Sequence, residues 1–240
     1  VLVLFTDFGL QGPYIGQVEA VLQLHAPGVP VIKLFSDLPP FDIQAAAYLL
    51  PACTQGFTPG TVFVCVVDPG VGGKRPGVVV RADGRWYIGP NEGLFVLLAR
   101  RAKHIQCWLL PDPAPTASPS FHGRDVFAPI AGRLARDGRY SGAELATTEL
   151  DKPGWPDDLW RVVYIDGFGN AITGLRSSIV EPDAVFNVNG HSLHHARTFS
   201  DVDEGEAFWY GNSSGLVEFA VNRGRADTPL GLRVGTEFSR

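Results

Sequence analysis

The stretch TVFVCVVDPGVGGKRPGVVVRADGRWYIG, Thr61 to Gly89, decides how the rest of the chain is read. Its opening run is apolar without a polar break, the mark of a strand covered on both faces, as in a parallel sheet. Residues 77–89 then read as a hairpin around Asp83-Gly84, a dipeptide suited to the positive φ angles of a two-residue turn. Between strand and hairpin stands Asp68 at a strand mouth, with Arg75 seven residues on and mostly glycine in between. Such a pair either closes a loop as a structural ion pair or builds a site.

Outward from this stretch, strand and helix alternate. VLVLF (1–5) and VIKLF (31–35) read as strands, and residues 14–26 between them place Ile15, Val18, Val21 and Leu22 at helical spacing. Residues 42–55 read as a helix that Pro51 kinks or ends. Helices are expected over 91–102 and 123–138, with a strand at 104–110. Alternation of this kind predicts a layered α/β sheet with flanking helices. After Tyr140 the texture changes. DKPGWPDD (151–158) is linker-like, and beyond it short strands recur at 160–166, 170–175, 184–196, 206–211, 216–222 and 231–238. That predicts a small C-terminal all-β barrel or sandwich. The expected division is an α/β domain over 1–145, a linker over 146–159 and a β domain over 160–240.

Composition narrows the partners. With 45% apolar and 19% charged residues and a net charge of −5, the chain can bury cores but lacks the basic surface that nucleic acid or anionic membrane requires. Its apolar runs are strand-sized, far below the ~20 residues that span a bilayer. Cys53, Cys65 and Cys107 are odd in number, widely spaced and set in apolar contexts, as expected of reduced core thiols in a cytoplasmic protein.

Several motifs invite a sharper reading and lose it. GGK after a strand suggests a phosphate loop, but Asp68 stands where that motif needs Gly and Arg75 where it needs Ser or Thr. TDFG (6–9) matches a kinase metal triplet out of its context. Asp7 there is either a helix cap or a ribose ligand at the carboxyl end of a parallel strand. His191, His194 and His195 lack a third ligand on one strand face, so a metal is not expected. His122 opens a helix after a loose Pro-rich loop, beside Arg124 and Asp125. The turns holding Asp166, Phe168 and Asn170, and Asn212, Ser213 and Ser214, are either plain turns or ligand contacts.

Taken in order, LFTDFG, VVDPGVGG-KR, YIGPNEG, FHGRDVFAPIA, IDGFGNAITG and NSSGLVEFAVN resemble the S-adenosylmethionine hydroxide adenosyltransferases, relatives of fluorinase and chlorinase. The resemblance spans the whole chain. It implies hydrolysis of S-adenosyl-L-methionine to adenosine and methionine without a cofactor, in a homotrimer whose sites lie between subunits. It gives Asp68, Arg75 and His122 as the residues around the attacking water, where halogenating relatives differ. It gives Asp7 to the ribose diol, Phe41 to the ribose and adenine, and Asn91 to substrate. It gives Asp166 to the methionine ammonium, Phe168, Asn170 and Asn222 to adenine, and Ser213 and Ser214 to the methionine carboxylate. Gly12 and Ser214 depart from the family, the first from an Asp and the second from the halogenases' Arg. The rival functions are a halide-using adenosyltransferase of the same fold and a sensor that binds without turnover.

The chemistry agrees with that set. A sulfonium is its own good leaving group, so the enzyme has to align and desolvate a water opposite sulfur. Aspartate, near ~3.9 when free, is a weak base for water. Asp68 and Arg75 are therefore expected to orient and stabilise the nucleophile, and His122, ordinarily near ~6.5, to relay the proton.

Overall fold

The computed structural model describes residues 1–240. They form two compact units, residues 1–153 and 154–240. In the first, a six-stranded sheet has the order β2-β1-β3-β5-β4-β6. Its strands are β1 (Leu2–Thr6), β2 (Val31–Phe35), β3 (Val62–Val66), β4 (Gly77–Ala82), β5 (Arg85–Pro90) and β6 (Ile105–Leu109). β1 is parallel to β2 and β3, and β3 to β5, whereas β4 is antiparallel to both β5 and β6. The Asp83-Gly84 turn has φ of 47° and 82°, as the hairpin required.

Alternating side chains of the central strands feed two layers. Leu2, Leu4, Val62 and Val64 join a core with Val18 and Leu22 of α1 (Tyr14–His25) and with Ile130 and Leu134 of α4 (Ala128–Asp137). On the other face Phe63 stacks on Tyr87, whose hydroxyl meets Thr54 of α2 (Ile43–Thr54). Helix α2 runs through Pro51 instead of ending there. Ala45 to Leu50 are all buried, so packing outweighs the lost bond, and the Thr54 hydroxyl donates to the Leu50 carbonyl at 2.7 Å. Helix α3 is shorter than expected, Val96–Arg101. The residues before it turn instead, with Gly93 at φ 120° and the Asn91 N–H on the Pro76 carbonyl. Ahead of α4, Gly123–Phe127 form one π-helical turn. The unit extends to Pro153: Leu150 is buried and Asp151 pairs with Arg100 at 2.7 Å.

The second unit holds a six-stranded sheet of order β7-β8-β12-β11-β10-β9. Its strands are β7 (Leu159–Ile165), β8 (Ala171–Arg176), β9 (Phe186–Val188), β10 (His191–His195), β11 (Ala207–Gly211) and β12 (Leu216–Val221), joined by turns and short 3-10 segments. All pairs are antiparallel except β10 with β11. Residues 231–238, expected as a strand, are not one. They make only isolated bridges, Glu237 to Arg161 of β7 and, beyond the stretch, Ser239 to Asn187 of β9. Phe186, Trp209, Phe219 and Phe238 fill the core. No helix of the chain is long and apolar enough to cross a membrane.

Candidate active site

β1 and β3 are neighbours and parallel, and each ends in an aspartate. Asp7 follows β1, its N–H on the Val66 carbonyl at 3.2 Å, and Asp68 follows β3. Between these strands the winding of the sheet reverses, and the crevice beyond their carboxyl ends is where such sheets bind ligands. The crevice is an open cavity of about 350 Å³ lined by Asp7, Phe41, Asp68, Val71, Phe121 and His122 among others.

The glycine-rich loop after Asp68 brings Arg75 back across it. Arg75 Nε donates to Asp68 Oδ1 at 2.8 Å, and a terminal nitrogen reaches Oδ2, a bidentate pair. The two side chains are 7% and 5% exposed, so the pair is shielded from solvent. That same nitrogen lies 2.9 Å from His122 Nδ1, and the guanidinium covers the Phe127 ring. A guanidinium can only donate, so Nδ1 accepts and a neutral His122 carries its proton on Nε2. Burial, then the Arg75 charge, lower the His122 pKa from its ordinary value. Relay of a proton through Nδ1 would require Arg75 to leave it.

Two features hold the loop closed. The Asn91 N–H donates to the Pro76 carbonyl, and Gly72 adopts φ 79°, where a Cβ would lie 2.6 Å from the Pro119 carbonyl oxygen. Pro119 belongs to the loop before His122, itself tied down by Ser118 N–H on Asp125 Oδ2 at 2.8 Å. Asn91 thus braces the Arg75 loop, and its side-chain amide donates to the Glu149 carbonyl, not into the cavity.

Asp7 shows a second constraint. Its Oδ2 accepts the Phe41 N–H at 3.2 Å and holds Phe41 at φ 64°, uncommon for a bulky residue, with the residue 75% exposed. Burial is the main cause raising the Asp7 carboxyl above its usual value, with a smaller push from Asp68. Phe8, Tyr14 and Phe121, which the sequence reading passed over, pack edge to face along the cavity. Nothing but the TDFG context pointed to Phe8.

In the second unit Asp166 organises its own turn. Oδ1 accepts the N–H groups of Phe168 and Asn170, each at 2.9 Å, and Phe168 is 78% exposed. Ser213 and Ser214 occupy the turn from β11 to β12, where Asn212 Oδ1 accepts the Ser214 N–H at 3.0 Å. The Asn222 amide is engaged by the Val202 carbonyl at 2.8 Å. Glu218 and Tyr210, beneath these turns, were missed. The signal was a lone Glu in the apolar run LVEFAV.

The model for the SAM hydroxide adenosyltransferase N-terminal domain matches residues 2–144, and that for the C-terminal domain matches 160–239. The chain belongs to the SAM hydroxide adenosyltransferase family. Within reach of it is the (R)-S-adenosyl-L-methionine hydrolase of Thermus thermophilus, 41% identical over 96% of this chain and 95% of that protein. The fluorinase of Nocardia brasiliensis is more distant, 22% identical over 98% and 94%. Among solved structures, an uncharacterized conserved protein from Thermotoga maritima superposes with a TM-score of 0.88 at 28% identity, over 99% of this chain and 98% of that one. Its match covers both family domains. No group of three or more His, Cys, Asp or Glu side chains is gathered to hold a metal ion.

Proposed function

We propose that this member of the family hydrolyses S-adenosyl-L-methionine to adenosine and L-methionine by attack of water on the ribose C5′. One observation carries the reading: Arg75 bridges Asp68 and His122 at the edge of the β1/β3 crevice. As the water oxygen bonds to C5′, the carbon–sulfur bond breaks and its electron pair neutralises the sulfonium. The oxygen is then a protonated alcohol, a far stronger acid than water. A weak base such as Asp68 can take that proton and pass it to solvent, so no strong base is needed. Asp68 accepts from the water and fixes its line of approach. His122 serves as an Nε2–H donor that steadies the oxygen, in place of the proton relay expected earlier. A carboxylate in this position repels halide, which favours water over the halogenating alternative.

For substrate, the same proposal keeps Asp7 on the ribose and Phe41 beside ribose and adenine. It keeps Asp166 on the ammonium, Phe168, Asn170 and Asn222 around adenine, and Ser213 and Ser214 on the carboxylate. Asn91 acts through the loop it braces. The protein works as a homotrimer whose sites draw on two subunits, and the C-terminal segment closes the second sheet into a barrel through its bridges to β7 and β9. Three cysteines, none of them in a disulfide, suit a cytoplasmic setting.

The deciding experiment incubates the purified protein with each sulfur epimer of S-adenosylmethionine, because the Thermus relative is named for the (R) form. Adenosine and methionine should appear in equal amounts, with oxygen from labelled water in the 5′ hydroxyl. A 5′-chloro nucleoside as main product in chloride buffer would move the chain to the halide-using reaction. Tight binding without product would make it a sensor.

A further inference from the structure

Beneath the two turns of the second unit lies a carboxylate that none of this chemistry uses. Glu218 stands in β12, whose six residues are all buried, and is 4% exposed. A buried acid is tolerated only when its oxygens are hydrogen-bonded. The Tyr210 hydroxyl donates to Oε1 at 2.6 Å and Asn212 Nδ2 to Oε2 at 2.8 Å. Asn212 turns its other end on the Ser213–Ser214 turn, where Oδ1 accepts the N–H groups of Ser214 and Leu216, both at 3.0 Å. Glu218 therefore selects the amide orientation that shapes the turn. Reversed, the Asn212 NH₂ would face two donors.

On the other side, the Asn170 amide reaches Asp166 Oδ2 at 3.3 Å, and the Asp166 charge acts on Glu218. One buried carboxylate thus holds the support of one turn and faces the charge that organises the other. The charged and titratable groups acting on it are Tyr210 on β11 and Asp166 after β7, while β8 sets Ile172 opposite. Arg225, paired with Asp227 at 2.7 Å, feels Asp166 in turn. Burial is the main cause that raises the Glu218 carboxyl, and Asp166 adds to it. The Tyr210 and Asn212 bonds oppose the rise.

Building on the proposed reading of these turns, we propose that Glu218 is a positioning residue for the cationic, methionine end of the substrate. It locks Asn212, and so the Ser213–Ser214 turn, and sets a second negative charge behind Asp166. Protonating Glu218 then weakens the hold on the ammonium-bearing substrate and leaves the adenosine portion unaffected.

The test uses the full chain with Glu218→Gln, which keeps the shape, removes the charge and forces a donor against Tyr210 or Asn212. KM and kcat for S-adenosylmethionine are measured across pH, and adenosine affinity by calorimetry. A charged hydrogen bond of ~1.5–3 kcal/mol is at stake, so KM should rise about tenfold or more while kcat stays within about threefold. Adenosine affinity should hold, and the acid-side rise of KM in the parent protein should disappear. Tyr210→Phe removes one donor to the carboxylate and should move that rise to higher pH with kcat intact, a readout that survives if the Gln variant does not fold. In an active parent, an unchanged KM, equal losses for substrate and adenosine, or an acid rise unmoved in both variants would overturn the inference alone. A parent protein with no turnover would overturn the proposed function and this inference with it.

Discussion

Two buried carboxylates, one in each unit, are satisfied in opposite ways. Asp68 meets a full positive charge, both oxygens taken by Arg75. Glu218 meets only a phenol and an amide, with Asp166 near enough to repel it. A guanidinium clamp fixes charge and geometry together, and its loss leaves an uncompensated ion. Neutral donors hold geometry but leave the charge open to titration. The first arrangement suits a group that has to aim a reacting atom, the second one that adjusts how a cation is held.

The sharpest way to break this contrast is Arg75→Ala. It strands Asp68 in a shielded place and releases His122 Nδ1. Stability should fall by about 3–5 kcal/mol, the usual cost of removing one partner of a buried pair, read by chemical denaturation. Turnover should fall at least about a thousandfold, since both orientation and electrostatics go. Arg75→Lys should recover part of the stability and little of the activity, because a point charge cannot replace a planar fork across Asp68 and His122. A fully active Arg75→Ala protein would show that the pair only closes the loop.

That contrast was half legible in the sequence. The glycine-rich loop after an unbroken apolar strand placed Asp68 and Arg75 together, because few residues separate them and glycine allows the chain to double back. Asp7 was legible through its strand, since position at a parallel strand's end is a property of order along the chain. Glu218 was not legible, because a single acid in a strand ordinarily marks the solvent face. Only the fold reveals that β12 is covered on both faces, with Tyr210 of β11 set opposite Glu218. The bridges made by Glu237 and Ser239 were hidden for a similar reason. GLRVGTEF has a strand's composition, but its pairing is decided by edges far away in sequence. Pro51 left open whether the helix over 42–55 kinks or ends, and burial from Ala45 to Leu50 carries it on to Thr54.

A smaller effect sharpens the electrostatic side. His122→Ala should lose about a hundredfold in turnover, the cost of one aimed donor, with adenosine affinity within a few-fold. The sign of its titration can be read independently. Burial and Arg75 lower its pKa, so the neutral ring persists below the ordinary histidine value of ~6.5. Loss of kcat through His122 should therefore begin only at pH below that value, and not near 7. In Arg75→Lys the charge beside Nδ1 remains, so the limb should stay on the acid side of ~6.5. A midpoint above that value in the parent protein would mean that the imidazolium is favoured and Arg75 does not donate to Nδ1.

The smallest effects come from two glycines with nearly the same backbone. Gly72, in the Arg75 loop, has φ 79°, and Gly215, in the turn after Ser214, has φ 78°. Alanine at either position carries the left-handed penalty of roughly 1–2 kcal/mol. The surroundings separate them. At Gly72 the added Cβ would lie 2.6 Å from the Pro119 carbonyl, a backbone atom that cannot move without the loop leading to His122. At Gly215 it would meet nothing within 4 Å. Gly72→Ala should therefore lower stability by more than the backbone penalty alone and cut turnover at least about tenfold, by spoiling the Arg75–His122 contact. Gly215→Ala should cost only about 1 kcal/mol by denaturation and change KM less than about threefold, since Asn212 and Glu218 still hold the turn. Equal losses at the two positions would mean that the Arg75 loop is no more tightly cornered than the serine turn, and the contrast between a clamped and an adjustable site would lose its structural basis.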